Sequence, residues 1–106
     1  MKAITADLLQ TATQRLVVEF QPEQIWLSGS HARGNPHDNS DVDLFVVVRD
    51  SEETPIRRAQ RAYRCLRGLR MPKDVLVETR PEVDRVKGLK TSLENTTLSR
   101  GRRLYG

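Results

Sequence analysis

Leu8, Ala12, Leu16 and Phe20 recur at every fourth position, with Leu9 and Val17 beside them. That period lays an apolar stripe along one side of a helix over 4–20. Gln21-Pro22 ends it, because the residue before a proline is pushed out of helical conformation. A short apolar run, QIWL at 24–27, predicts a strand. Polar chemistry follows: Ser28 to Gly34 reads as a turn with room for one helical turn, and NPHDNS at 35–40 as loop. Val42 to Val48 is nearly all apolar and rich in β-branched residues. Its lack of alternation predicts a strand buried on both faces.

Thr54-Pro55 supplies an N-cap and a first helical residue for the next helix. Its predicted apolar side is Ile56, Ala59, Tyr63 and Leu66. Arg57, Arg61 and Arg64 share the opposite side, with Arg58 near them, and Gly68 to Pro72 closes the helix. DVLVE at 74–78 predicts a third strand. Pro81 begins another helix of about a dozen residues, weakened by Gly88. Arg100-Gly101 reads as a helix stop, and Arg102 to Tyr105 as a terminal edge strand.

The order αβ(turn)βαβα(β) constrains the sheet. The strand-helix-strand unit over 42–78 should be a right-handed parallel crossover. The link between the first two strands is too short for a crossover helix, so they should pair antiparallel. Gly29-Ser30 then ends strand one, Asp41 and Asp43 open strand two, and Asp74 opens strand three. All of them fall at one end of the sheet.

That placement gives two acids at the mouth of a core strand a use. Asp41 and Asp43, two apart on a strand, project from one face. Carboxylates alone suit a hard cation such as Mg²⁺, one ion or two, with phosphate oxygens completing its shell. Asp74 adds a third carboxylate. Gly29 lets backbone approach a phosphate closely, Ser30 offers a hydroxyl, and Arg33 reaches a phosphate or an acid. Each feature alone has an ordinary reading as a turn, a strand end or a surface charge; the joint placement points to phosphoryl or nucleotidyl transfer. His31 and His37 have no readable acid-base partner, and no His/Cys spacing fits zinc.

Composition narrows the setting. The 106 residues suit one domain, 1–106, and 37% hydrophobic with 30% charged is ordinary for a soluble globular protein. No apolar run reaches a membrane span and no leader is readable, so a cytoplasmic location is expected. The single Cys65 excludes an internal disulfide and reads as a structural thiol. A net charge of +4 favours anionic partners. Aromatics are few and core-like, so direct nucleic-acid binding is not indicated. The arginine-rich face at 57–64 reads first as a solvated helix side and second as a docking surface for an acidic protein or RNA.

LSGSHARG followed by SDVDLFVV resembles the nucleotidyltransferase superfamily of the DNA polymerase β type, whose pattern is G-S, ten residues, then D-x-D. The small size and the G-S-x-A-R-G form are similar to the minimal nucleotidyltransferase (MNT) proteins, and KDVLVETRPE and GRRLYG resemble their later strands. The resemblance implies an α/β (α+β) nucleotidyltransferase fold, a mixed sheet of three to four strands with flanking helices. It implies Mg²⁺ at Asp41 and Asp43, with Asp74 completing the acidic set and activating the attacking hydroxyl. It implies the phosphates of a nucleoside triphosphate, ATP above all, at Gly29-Ser30. It further implies a HEPN-domain toxin as partner, with AMP transferred to one of its tyrosines and the chain acting as antitoxin. The alternative is a non-catalytic module that neutralises its partner by docking. Larger nucleotidyltransferases carry an additional helical domain that has no counterpart in these residues, so either an acceptor protein is expected to complete the site or the chain alone is expected to be a weak catalyst.

Overall fold

A computed structural model describes residues 5–29, 41–89 and 91–106. Ser30, Arg33, His31 and His37 lie outside the described residues. The elements run α1 (Ala6–Phe20), β1 (Gln24–Ser28), β2 (Val42–Val48), α2 (Pro55–Cys65), β3 (Lys73–Thr79), α3 (Arg80–Val86), α4 (Leu93–Arg100) and β4 (Arg102–Tyr105).

The helix ends follow from local chemistry. Thr5 Oγ1 accepts from Leu8 N–H at 3.1 Å to start α1, and Gln21 stops it in left-handed conformation, φ 46°, its N–H on Val17 O. Thr54 caps α2 in the same way as Thr5, ahead of Pro55. At α3 Thr79 and Glu82 form a capping box, each side chain bonded to the other's backbone N–H.

The sheet has four strands in the order β3-β2-β1-β4. β1 is antiparallel to β2 and to β4, while β2 and β3 are parallel. Both strand directions agree with the linker lengths. The core divides by strand parity. Val42, Leu44, Val46, Ile25, Leu27, Val75 and Val77 pack with α1 and α2 residues such as Leu16, Ala12, Ala62 and Leu66. Phe45 and Val47 face the other way and pack with Val83 of α3, Leu98 of α4, Trp26 and Leu76. β2 is thus covered on both sides, as its unbroken apolar run predicts.

Two expectations change. The segment after β3 is two helices, α3 and α4, because the chain turns over Lys87–Leu89 at Gly88 and restarts at the Ser92 cap. α2 is also rotated from its apolar pattern. Its buried residues are Arg58 and Ala62, with Leu66 behind them, while Ile56 is 71% and Tyr63 41% exposed. The cause is the bare edge of β3. Arg58 donates to Val77 O at 2.9 Å and forms a two-pronged pair with Glu82 at 2.8 and 2.9 Å. Tyr63 Oη accepts from Val75 N–H at 3.1 Å. The two side chains cap outward-facing backbone groups that would otherwise invite another strand. Arg61 is committed too, pairing with Glu19 at 2.8 Å and with Glu53, and lying over the Phe20 ring. Arg57 and Arg64 remain as the exposed charge of the helix.

Cys65 is half-buried at the end of α2, and burial raises its thiol above the usual range. That environment suits a structural side chain rather than a nucleophile. No helix among the described residues is long and apolar enough to cross a membrane.

Candidate active site

The register builds the site row by row on the sheet face that α3 and α4 cover. Ser28 pairs with Asp43, and Asp43 with Asp74. One step deeper lie Trp26, Phe45 and Leu76; a further step down lie Gln24, Val47 and Glu78. The first row is polar, the second apolar, and the third ends in a carboxylic acid. Because side chains alternate across a strand, Asp43 and Phe45 share a face while Val42 and Leu44 go to the opposite core.

Asp43 is half-buried; Asp41 and Asp74 are exposed. Gly29 follows β1 directly, at φ 74°, where a Cβ would overlap Asp43 Oδ2. Glycine is therefore required twice, by its own backbone and by the neighbouring carboxylate. Gly29→Ala should displace Asp43 and cost roughly 1–2 kcal/mol of stability. Urea unfolding of the variant against the parent measures this, and an unchanged midpoint would refute the packing argument.

Gly29, Asp43 and Asp74 open onto a cavity of about 470 Å³. Phe45 and Leu76 form its floor, and Leu93, Thr96 and Thr97 of α4 its wall. Tyr63 stands at its rim beside the β3 edge. Leu93, Thr96 and Thr97 carry no signal in the one-dimensional pattern, and Tyr63 is on the helix face expected to be core. They are found only once α4 is known to return across the sheet.

Among the described residues no three carboxylate, imidazole or thiol groups stand close enough together to hold a metal ion. The register does set Asp43 beside Asp74 on neighbouring strands, and Asp41 lies two residues upstream of Asp43. The side chain missing at Gly29 makes room for the Asp43 carboxylate, whose Oδ2 lies against the place a Cβ would take. The donors are all carboxylate oxygens, the chemistry that a hard divalent cation such as Mg²⁺ takes.

The third row carries the site's unusual electrostatics. Burial, followed by the nearby Glu94 carboxyl of α4, pushes Glu78 up to about 8, and Arg58 offsets this only in part. Glu78 Oε1 is buried with no hydrogen-bond partner among the described residues. A folded value above the ordinary 4.5 means the acid form is favoured by the fold. Its contribution is complete below about pH 4.5 and declines as pH rises through about 8. Glu78→Gln should remove that decline, stabilising the protein at pH 8 but little at pH 5. Urea midpoints at the two pH values check this; parallel losses in both proteins would refute it.

The comparisons with known proteins can be set against this geometry. The nucleotidyltransferase domain family model matches residues 9–103. A crystal structure from Sulfolobus solfataricus, provisionally assigned as a nucleotidyltransferase, is similar at 30% identity and a TM-score of 0.60, covering 76% of this chain and 72% of that one. No curated protein matches the chain significantly. The match runs from α1 into β4 and takes in Gly29, Asp41, Asp43 and Asp74. With the mixed four-stranded sheet and its flanking helices, it places this chain in the nucleotidyltransferase domain family.

Proposed function

We propose that the chain is an Mg²⁺-dependent nucleotidyltransferase that moves AMP from ATP to a protein hydroxyl. The observation that supports this best is the register placing Asp43 between Ser28 and Asp74, with Gly29 at the mouth of the same cavity. Asp41 and Asp43, with Asp74, would hold Mg²⁺, which when bound offsets phosphate charge. Gly29 and Ser30 receive the triphosphate, and Arg33 adds a cation to it. Asp74, more exposed than Asp43, accepts the proton as an acceptor hydroxyl attacks the α-phosphorus and pyrophosphate leaves. The open mouth of the cavity suits an acceptor presented by another protein. We place that acceptor on a tyrosine of a HEPN-domain toxin, which makes the chain its antitoxin.

The test is incubation of the chain with labelled ATP, Mg²⁺ and a HEPN-domain partner. Label on a partner tyrosine, with pyrophosphate released, is the expected result. Neutralisation of the partner without any label would instead favour docking alone. The docking alternative has a smaller surface than the sequence suggests, since Arg58 is buried against Glu82 and Arg61 is held by Glu19 and Glu53.

A further inference from the structure

We propose that the free edge of β4 is a docking site for another protein, which adds a short acidic strand to the sheet along the groove between β4 and α1. The inference is independent of the transfer reading.

The two edges of the sheet are built differently. β3 is closed, since Arg58 caps Val77 O and Tyr63 takes the Val75 N–H. β4 is the other edge. It pairs with β1 on one side, and among the described residues neither a strand nor a side chain caps its outer side. Its residues, Arg102–Tyr105, include no proline, so the outward N–H groups are all able to donate. An uncapped edge of this kind is a template for one more strand.

A groove of about 330 Å³ runs along that edge. Ala6, Leu9, Gln10 and Thr13 of α1 form one wall, and Arg102 and Leu104 of β4 the other. Leu9 and Leu104 also pack on the core beneath it. No carboxylate lines the groove among the described residues. A strand laid beside β4 would send alternate side chains into it.

Charge selects the occupant. Arg100, Arg102 and Arg103 are exposed at the edge or just before it, and none pairs with a carboxylate among the described residues. Arg103 lies instead over the Trp26 ring, 6.0 Å from its centroid. Acidic side chains would answer these cations, and small apolar ones would fill the groove. A second copy of the chain fits worse, because pairing two β4 strands antiparallel sets arginine against arginine. RNA would answer the charge but leave the apolar groove unused. The register with β1 shifts between Ile25 and Trp26, opposite Leu104. That irregularity keeps the added strand short, so its side chains supply the specificity.

Fluorescence polarisation with a labelled short peptide of alternating Glu and Val tests this. The parent should bind it about tenfold more tightly than the matching Lys-Val peptide. Methylating alternate backbone nitrogens of the peptide, in each of the two phases, should cost about tenfold in one phase and little in the other, because only alternate amides face the edge. On the protein, Arg102→Glu combined with Arg103→Glu should weaken the Glu-Val peptide about tenfold. Gln10→Trp, which fills the groove without changing its charge, should weaken it roughly fivefold. These three positions are exposed, so the variants should fold, which far-ultraviolet circular dichroism checks. The methylated peptides test the pairing on the parent alone. No binding by the parent, or equal binding of the unmethylated peptide and both methylated ones, would overturn strand addition. Tighter binding of a uridine oligonucleotide than of the Glu-Val peptide would give the arginines to RNA. A parent dimer by light scattering that Gln10→Trp dissociates would give the edge to a second copy. Either result overturns the proposal.

Discussion

Asp43→Asn should lower nucleotidyl transfer by on the order of a thousandfold while leaving the fold intact. Asn keeps the size of the side chain and so keeps the packing against Gly29. What it loses is the negative charge at the one position flanked on both strands by first-row residues, Ser28 and Asp74. A hard cation bound there would lose a charged donor, and the phosphate charge it offsets would go uncompensated. The same change at Asp41, exposed at the strand mouth, should cost less. Asp74→Asn should act mainly on turnover, since it removes the proposed proton acceptor. Initial rates with labelled ATP, alongside far-ultraviolet circular dichroism, decide the matter. A folded Asp43→Asn protein retaining more than about a tenth of the rate would mean that the reaction does not use this carboxylate.

Arg58→Ala should be the most damaging change to stability, by about 3 kcal/mol, or roughly 10–20 °C in thermal midpoint. Arg58 is 3% exposed and joins three elements: it comes from α2, caps Val77 O on β3 and grips Glu82 on α3. Removing it leaves Glu82 without its cation and the β3 edge without its cap. Lysine should not rescue the variant, because a single ammonium cannot make the forked contact.

The acid limb of the stability profile carries a second signature. The Arg58 guanidinium holds Glu82 down to about 2, well below the ordinary 4.5, helped by the Thr79 backbone. The ion pair's contribution is present above about pH 4.5 and is lost as pH falls toward 2. Arg58→Ala should therefore lose stability at neutral pH and also show a flatter acid limb. A midpoint within about 3 °C of the parent would show that the edge is held by packing alone.

Taken with Glu78, whose effect runs the other way with pH, these groups place the two ionisable contributions on opposite sides of about pH 4.5. Both sit along β3 and its helices, outside the first row. The pH dependence of stability can thus be separated from that of transfer by variants that leave Gly29, Asp41, Asp43 and Asp74 alone.

The α1 stripe, the β2 run and the Thr-Pro start of α2 were legible because each is a local property: period, β-branching and capping act within a few residues. The sheet end gathering Gly29, Asp41, Asp43 and Asp74 was legible too, since short links and crossover handedness leave few ways to order three strands. Arg58 was not. An arginine on a helix is solvated by default, and only the partner across the β3 edge, Glu82, makes burial favourable. The single helix of about a dozen residues expected from Pro81 failed for a related reason. Gly88 weakens a helix without saying where the chain turns, and the Ser92 cap restarts it so that α4 can close over Phe45 and Leu76.

What the sequence determined by itself is the set of candidate site residues and their common edge, because strand parity and loop length act locally. What only the tertiary structure decided is the environment of that edge: the cavity beneath it, the burial of Thr97, the raised Glu78 and the committed arginines. Each depends on which residues distant in the chain meet, and burial and charge pairing are properties of the meeting.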